Sequence, residues 1–402
     1  MNFIKEGKWA KMNRVNELIK EYCPDGVEIR CLEDCCNLLD KKRKPITKAA
    51  REAGEYPYYG ANGIQDYVAN YIFDGTFVLV GEDGSVITKS GTPVVTWAEG
   101  KIWVNNHAHI IEEKDGVMLR YLYHYLQTID VTSLIHGNIP KLTGGDFKAL
   151  KIAVPPLEVQ REIVHILDSF TLLTAELIAE LTARKKQYEF YRDKVLSHDG
   201  IYPMKPLAEL GKWSGGKTPS MSEKSFWDQG TIPWISSKDM KSSILEDTQD
   251  HITEKAVKEA SMTVYPANSI AVVTRSGILK HTFPVAYVPF ETTINQDIKM
   301  LVVNEDILPR YAFHVIQGKG NDILVKTKKQ GGTVDSLDFQ KVLAYKVPVP
   351  SKNVQSKLVE VLDNFESICT DLNIGLPAEI EARQKQYEYY RDKLLSFKEL
   401  PK

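Results

Sequence analysis

The sequence predicts an α+β fold. Two globular β-rich domains are joined by two long α-helices that pair as an antiparallel coiled-coil spacer, the whole forming a pseudo-two-fold tandem repeat. Three observations carry this expectation: one charged, aromatic stretch occurs twice, helical periodicity precedes both copies, and the regions between them have the texture of strands and turns.

The repeat comes first because it sets the architecture. "ARKKQYEFYRDKVLS" (Ala183 to Ser197) returns as "ARQKQYEYYRDKLLS" (Ala382 to Ser396), with only Lys/Gln, Phe/Tyr and Val/Leu exchanges. Upstream, "VPPLEVQREIVHILDSF" (Val154 to Phe170) returns as "VPSKNVQSKLVEVLDNF" (Val349 to Phe365). "LTGGDF" echoes "VDSLDF" loosely, and the period is about 199 residues.

In chain order, residues 1–24 form an N-terminal helical segment and 25–153 the first globular domain. Strand-like runs such as "TFVLVG", "SVIT" and "KIWVNN" fill that domain, punctuated by Gly, Pro, Asn and Asp. Residues 154–198 form the central helix. Its apolar seam runs through Ile163, Ile166, Phe170, Leu173, Leu177, Leu181, Tyr188, Tyr191 and Val195 in steps of three and four. At about 1.5 Å per residue, Val159 to Ser197 spans roughly 58 Å. Residues 199–348 form the second globular domain, with "SIAVVT" and "PVAYVP" as strands. Residues 349–402 form the distal helices, with a seam at Val354, Leu358, Val361, Phe365, Ile368 and Leu372. Gly375 and Pro377 break this copy into two helices, as a C-cap and a first-turn residue. Each long amphipathic helix needs a partner to bury its seam, and each copy supplies the other's.

Composition bounds the function. The 402 residues suffice for two or three domains, and 43% hydrophobic with 26% charged residues is ordinary for a soluble protein. There is no apolar run of membrane-spanning length and no secretory signal at the N-terminus, so the expected location is cytoplasmic, without a membrane partner. The cysteines of "CLEDCC" lack zinc-module spacing and read as ordinary thiols, with no metal. A formal charge of −2 requires any DNA-binding surface to be segregated, as in "DKKRKPITKAAR" (Asp40 to Arg51). Neither an amino-methyltransferase N-P-P-[YF] tetrapeptide, a G-x-G-x-x-G fingerprint nor a nucleophile elbow occurs.

One motif argues otherwise. "GKWSGGKT" (Gly211 to Thr218) fits the P-loop pattern and admits an ATPase as an alternative function. Pro203 and Pro206 disfavour a central strand before it, and Pro219 with the polar "SMSEKSFW" disfavours a helix after it. The counterpart in the first half, "KKRKP", has no glycines, so nucleotide binding is not a property of the position. Both loops instead set a lysine at or near a proline. A second alternative, a purely structural coiled-coil scaffold, leaves two dissimilar domains without a task.

Identical rods carrying different heads suit two binding specificities held at a fixed separation. Successive turns of B-DNA lie about 34–36 Å apart, within the reach of such a rod. On this point the chain resembles the specificity subunits of Type I DNA restriction-modification systems. The resemblance is carried by "GKTPS" with "GTIPWISSKDM", "VVTRSGILKHTFPVA", "INQDIKML", "YPYYGANGI" with "FDGTFVLVGEDGS", and both helix openings. It implies two target-recognition domains reading the halves of a split double-stranded DNA target. It also implies two copies of a methyltransferase (modification) subunit and a restriction/translocase subunit as partners. The chain is then a non-catalytic subunit that binds no cofactor itself, with S-adenosylmethionine, ATP and magnesium in the partner subunits.

Basic and polar residues in turn-rich segments are the DNA-contact candidates. In the first domain these are Lys41, Lys42, Arg43, Lys44, Lys48, Tyr58, Tyr59 and Asn62. In the second they are Lys217, Thr218, Ser220, Ser236, Ser237, Lys238, Arg275, Ser276, Lys280 and His281, with Lys326, Lys328 and Lys329 beside glycines that permit close backbone approach. Tyr58 and Tyr59 have core packing as their competing reading, Trp234 reads as a core residue before a base contact, and Arg275 has an internal ion pair as its alternative. On the rods, Tyr188, Tyr191, Arg192, Tyr387, Tyr390 and Arg391 are candidates for a subunit interface or for helix pairing.

Overall fold

The computed structural model describes residues 14–196, 201–329, 334–370 and 375–401. The chain divides into two compact units, one holding the residues up to Ile178 with those from Glu379 onward, the other Ala179–Ala378. These units cut across the five sequence segments, because each takes one head and part of both rods.

The first head is built on a six-stranded sheet. Its strands are β1 (Asn37–Leu38), β2 (Ala53–Gly60), β3 (Gly63–Val68), β4 (Phe73–Gly81), β5 (Val95–Val104) and β6 (Ala108–Glu112), in the order β1-β6-β4-β5-β2-β3. Most neighbours are antiparallel, but β2 and β5 run parallel, with Tyr58 opposite Trp103 and Tyr59 opposite Val104. Phe77, Leu79, Ala98, Ile102 and Ile110 pack one face of this sheet. The other face (Val78, Val80 and Ile111) meets helix α1 (Leu119–Leu126) and the start of the long helix α2 (Leu157–Leu196).

The second head splits the same plan into two sheets. β7 (Gly211–Gly215), β10 (Ser269–Val273), β11 (Val285–Val288) and β13 (Ile298–Val303) follow the order β7-β13-β10-β11. β8 (Ile232–Ile235), β9 (Asp250–Ile252) and β12 (Thr293–Ile294) follow the order β9-β8-β12. Here too one pair is parallel: Trp234 lies opposite Thr293 and Ile235 opposite Ile294. Helix α3 (Pro309–Gly318) takes the place of α1.

Two devices fasten each head to its rods, and both explain residues repeated in the sequence. Gln160 and Gln355 are fully buried. Each carboxamide oxygen accepts a backbone N–H, from Met118 or Leu308, and each NH2 donates to the carbonyl of Pro155 or Pro350. A buried amide with both ends satisfied fixes chain position, since leaving either end unmet is costly. The second device is ionic. Arg120 and His124 of α1 both reach Asp168, at 2.7 and 2.9 Å, while Arg310 and His314 of α3 both reach Asp363, at 2.5 and 2.7 Å.

The rods continue in α4 (Lys352–Thr370) and α5 (Leu376–Leu394), two helices as the sequence predicts. Gly375 stands directly before α5 and Pro377 in its first turn. The antiparallel sense is visible in the second unit: Tyr191 stacks on Phe365, while Arg184 and Lys185 act on the Cys369 thiol farther along α4. The expected seam needs one correction. Val361 and Ile368 are 47% and 43% exposed, and the inner face of α4 instead carries Gln355, Leu362, Glu366 and Cys369. The physical cause is Arg310, which ion-pairs with both Asp363 and Glu366 and turns that polar edge inward. Leu372 lies outside the described residues, as does the side chain of Val195.

In the first unit the segment at Val27 meets that at Lys398–Leu400, with Val27 donating to the Lys398 carbonyl and accepting from Leu400 N–H. Gly26 (φ +128°) lets the backbones approach, since a Cβ there would lie 2.7 Å from the Lys398 carbonyl oxygen. Among the described residues no helix is long and apolar enough to cross a membrane. Cys35 and Cys36 donate to the carbonyls of Cys31 and Leu32, and burial pushes their thiols up to about 11 and about 12.

Candidate nucleic-acid interface

Where each parallel strand pair ends, both heads repeat one set of hydrogen bonds. In the first head Lys44 N–H donates to the Val104 carbonyl, and the Trp103 indole donates to the Lys44 carbonyl. Asn105 N–H donates to Tyr59, His107 N–H to the Asn105 side chain, Glu82 N–H to His107, and Leu142 N–H to Glu82. In the second head Lys217 N–H donates to the Ile294 carbonyl, and the Trp234 indole to the Lys217 carbonyl. Asn295 N–H donates to Ile235, Asp297 N–H to the Asn295 side chain, Thr274 N–H to Asp297, and Leu337 N–H to Thr274. Lys44 therefore matches Lys217, Asn105 matches Asn295, and Leu142 matches Leu337, while the indole bond changes origin: Trp103 lies on β5 beside Val104, and Trp234 on β8 facing β12. The last match shifts the loose "LTGGDF"/"VDSLDF" alignment by three residues.

This framework also disposes of the P-loop reading. Gly211–Gly215 is strand β7, paired antiparallel to β13, and the chain beyond Lys217 runs as coil into a short 3-10 turn at Lys224–Phe226. No helix N-terminus receives a phosphate after Lys217, as a P-loop requires. Gly216 has a different use, since a Cβ there would lie 1.9 Å from the Ile294 carbonyl oxygen. Only glycine lets the loop close on the strand and set Lys217 N–H on that carbonyl.

The structure sorts the sequence candidates. Lys41, Lys42, Lys44, Lys48, Asn62, Lys217, Thr218, Ser220, Lys238, Arg275, Lys280, His281, Lys326 and Lys329 are exposed. Lys41, Lys42, Lys44, Lys48, Lys217, Arg275, Lys280 and Lys329 make no salt bridge among the described residues, so Arg275 is not an internal ion-pair partner. Backbone bonds gather the second-head loops onto one edge: Arg275 N–H donates to Asp297, Ser276 N–H to Asp335, and Lys329 N–H to Ser336.

Other candidates are withdrawn from solvent, which corrects their expected role. Tyr58 is buried: its hydroxyl bonds to the Ile46 backbone and its ring lies under the Arg51 guanidinium at 4.2 Å. Tyr59 packs in the sheet core. Ser236 is buried against the Asp239 carboxylate. The Arg43 guanidinium is spent internally on Glu82 and the Ala108 carbonyl, both at 2.6 Å. Ser237 is half-buried, as are Ser276, whose hydroxyl caps Ile278 N–H, and Lys328, which holds the Leu279 carbonyl and Asp335. Lys238 is paired with Asp250, and Lys326 with Asp322, four residues earlier on its own helix.

Two groups, Asp40/Glu82/His109 and His314/Asp363/Glu366, bring carboxylates and imidazole within metal-ligand range. In each, a guanidinium already pairs with both carboxylates, Arg43 in the first and Arg310 in the second. For Asp40, burial works most strongly against the charge, but His109, the Ile110 N–H and Arg43 together outweigh it and hold the carboxyl below its usual range.

On the rods the repeated aromatics divide their work. Tyr188 bonds to His314 and Tyr387 to His124, each locking a rod onto a head. Tyr191 stacks on Phe365 and Tyr390 on Phe170, each pairing helix with helix. Arg192 and Arg391 lie over the rings of Tyr188 and Tyr387. The intervening Phe190 and Tyr389 are both 61% exposed. Sequence reasoning missed Asn105, Asn106, Asn295 and Gln296 at the edge, and the Arg–His–Asp sets that fasten heads to rods. The signal was present as "VNNH" beside "INQD" and as the repeated Asp of "LDSF" and "LDNF".

Comparison with known proteins agrees with this two-headed plan. The sequence profile of the Type I restriction modification DNA specificity domain matches residues 24–184 and again 202–382. The chain is 46% identical over 293 residues to the EcoR124I/EcoR124II specificity subunit of Escherichia coli, covering 71% of this chain and 72% of that protein. It is 32% identical over 389 residues to a putative type I restriction enzyme specificity subunit of Haemophilus influenzae, covering 92% and 96%. Among solved structures, the S subunit of a Type I restriction-modification system from M. genitalium shares the fold with a TM-score of 0.53 at 15% identity, covering 92% of this chain and 96% of that one. A chain from a study of type I R-M complex assembly and conformational transition aligns with a TM-score of 0.57 at 13% identity, covering 92% and 97%. With two matched heads, two matched sets of rod fastenings and a duplicated domain profile, the chain belongs to the family of Type I restriction-modification specificity subunits.

Proposed function

We propose that this chain reads the two halves of a split double-stranded DNA target, one with each head, and scaffolds the enzymatic subunits that act there. The observation that carries the reading is the edge built twice from six hydrogen bonds, five at matched positions and the indole bond supplied from opposite strands, but faced with different side chains. A shared frame with divergent exposed residues suits two different sequences on one kind of ligand. Lys44 and Lys217, held by their backbones at matched places, supply phosphate contacts that set register, and neighbouring polar side chains supply specificity. The chain itself is non-catalytic and works in the cytoplasm where its DNA is. Two methyltransferase subunits, bringing S-adenosylmethionine, dock on the near-identical rod ends, and a restriction/translocase subunit brings ATP and magnesium.

The test is reconstitution with the methyltransferase and mapping of methylated adenines on DNA of random sequence. The expected product is one bipartite motif, with an affinity that falls by orders of magnitude between about 50 and 200 mM salt. Methylation without sequence preference would overturn the reading.

A further inference from the structure

The six-bond edge does more than present lysines: it fixes one outward carboxamide in each head. Asn105 and Asn295 are nearly buried, at 2% and 7% exposure. Each uses its N–H on the neighbouring parallel strand and its side-chain oxygen on the N–H two residues ahead. Held at both ends, this turn forces the residue between to point outward. Those residues are Asn106 and Gln296, and both are exposed. Each lies two positions beyond the strand carbonyl (Val104 or Ile294) that receives the matched lysine N–H. An exposed cation and an exposed amide thus stand side by side on rigid backbone in both heads.

We infer that Asn106 and Gln296 are the matched base-reading residues, one for each half of the target, each meeting the major-groove edge of an adenine. The inference rests on the DNA-reading function proposed above. A carboxamide both accepts and donates, which fits the amino group and ring nitrogen that adenine alone displays together in that groove. The Asn106 side chain has no hydrogen-bond partner among the described residues, so its bonding capacity is unspent, while its backbone carbonyl accepts from Arg43 at 3.5 Å. Gln296 is longer and would swing freely, but the Thr218 hydroxyl donates to its Oε1 at 2.5 Å. That bond orients the amide and leaves its NH2 and a second oxygen lone pair for a base. Lys44 and Lys217 beside them carry charge without sequence information.

The experiment uses the full reconstituted methyltransferase complex on libraries with one half of the target randomised at a time. Asn106→Ala and Asn106→Asp are expected to lose roughly 10- to 100-fold of discrimination at one position of one half, leaving the other half at wild-type selectivity. Gln296→Ala is expected to do the same in the other half, and Thr218→Val to weaken the same position less. Lys44→Ala and Lys217→Ala instead lower binding across all sequences alike. The Asp variant guards against misfolding, since it keeps the shape of Asn while exchanging the amide donor for a carboxylate, whose charge also weakens binding to every sequence alike. Wild-type discrimination in both single variants, or a loss spread over both halves, overturns the inference. A wild-type complex without any sequence preference overturns the function beneath it, and the inference with it.

Discussion

Asp168 and Asp363 show how much one repeated letter can hold. Burial opposes the charge of each, but bonds from His124 and Arg120, or from His314 and Arg310, outweigh it and keep both carboxyls below their usual range. His124 moves the other way: burial lowers it below its ordinary 6.5, so the folded protein keeps it neutral between Tyr387 and Asp168. A group whose folded value is depressed contributes fully above its unfolded value and loses that contribution as pH falls. Melting temperature should therefore begin to drop as pH falls below about 6.5 through His124, with a further loss below 3.8 as the two aspartates protonate. His124→Gln should melt lower at pH 8 yet lack the first of these slopes. A second outcome concerns Gly216, where alanine would collide with the Ile294 carbonyl. Gly216→Ala should destabilise the second head by about 1–3 kcal/mol in thermal denaturation, as a close backbone contact is forced apart. The repeats that contain Asp168 and Gln160 were legible in the sequence, but their use was not. Their partners Arg120 and Met118 lie on an element that local periodicity cannot connect to them.

Elements were legible where one periodicity governs, and misread where two neighbours compete for a face. On α2 the expected seam residues Ile163, Ile166 and Phe170 are buried, because apolar packing alone decides that stretch. On α4 the apolar pattern pointed to Val361 and Ile368, but the cation of Arg310 claimed the adjacent polar edge and rotated them outward. Single substitutions should separate the two cases. Phe170 is buried and stacks on Tyr390, so Phe170→Ala should cost about 3–5 kcal/mol. Ile368→Ala removes a half-exposed chain and should stay within about 1 kcal/mol. Urea titrations of both variants check the contrast, and equal losses would restore the seam as the sequence drew it. The strands raise a related point. "TFVLVG" and "SIAVVT" announced themselves by composition, whereas the parallel pairing of β2 with β5 and of β8 with β12 is a long-range choice that no short pattern encodes. Because that pairing positions the edge, Asn106 and Gln296 escaped notice while the conspicuous lysines did not.

At the scale of the whole chain, heads and rods make separable contributions, and two constructions pull them apart. Exchanging residues 25–153 for the matching domain of a relative leaves the second head and both rod ends untouched. Methylated-adenine mapping should then show a new sequence in one half of the target, with the other half and the gap unchanged. On the proposed function, the rods are expected to set the gap instead. Helix α2 runs from Leu157 to Leu196 without interruption, so its length is fixed by backbone hydrogen bonds and not by side-chain choice. Removing Ala175–Leu181 takes two helical turns out of α2 and keeps its seam close to phase, since seven residues miss two full turns by only about 20°; residues 372–378 are removed alongside. The rod shortens by about 10 Å, or about three base pairs at roughly 3.4 Å each. Both half-sequences should stay as they were, because the edges that read them lie wholly within the heads, while the unread gap between them contracts. A variant that still methylates at the original spacing would show that the gap is set by the partner subunits or by bending of the DNA. Methylation of altered half-sequences would show that the rods reach into the recognition edge itself.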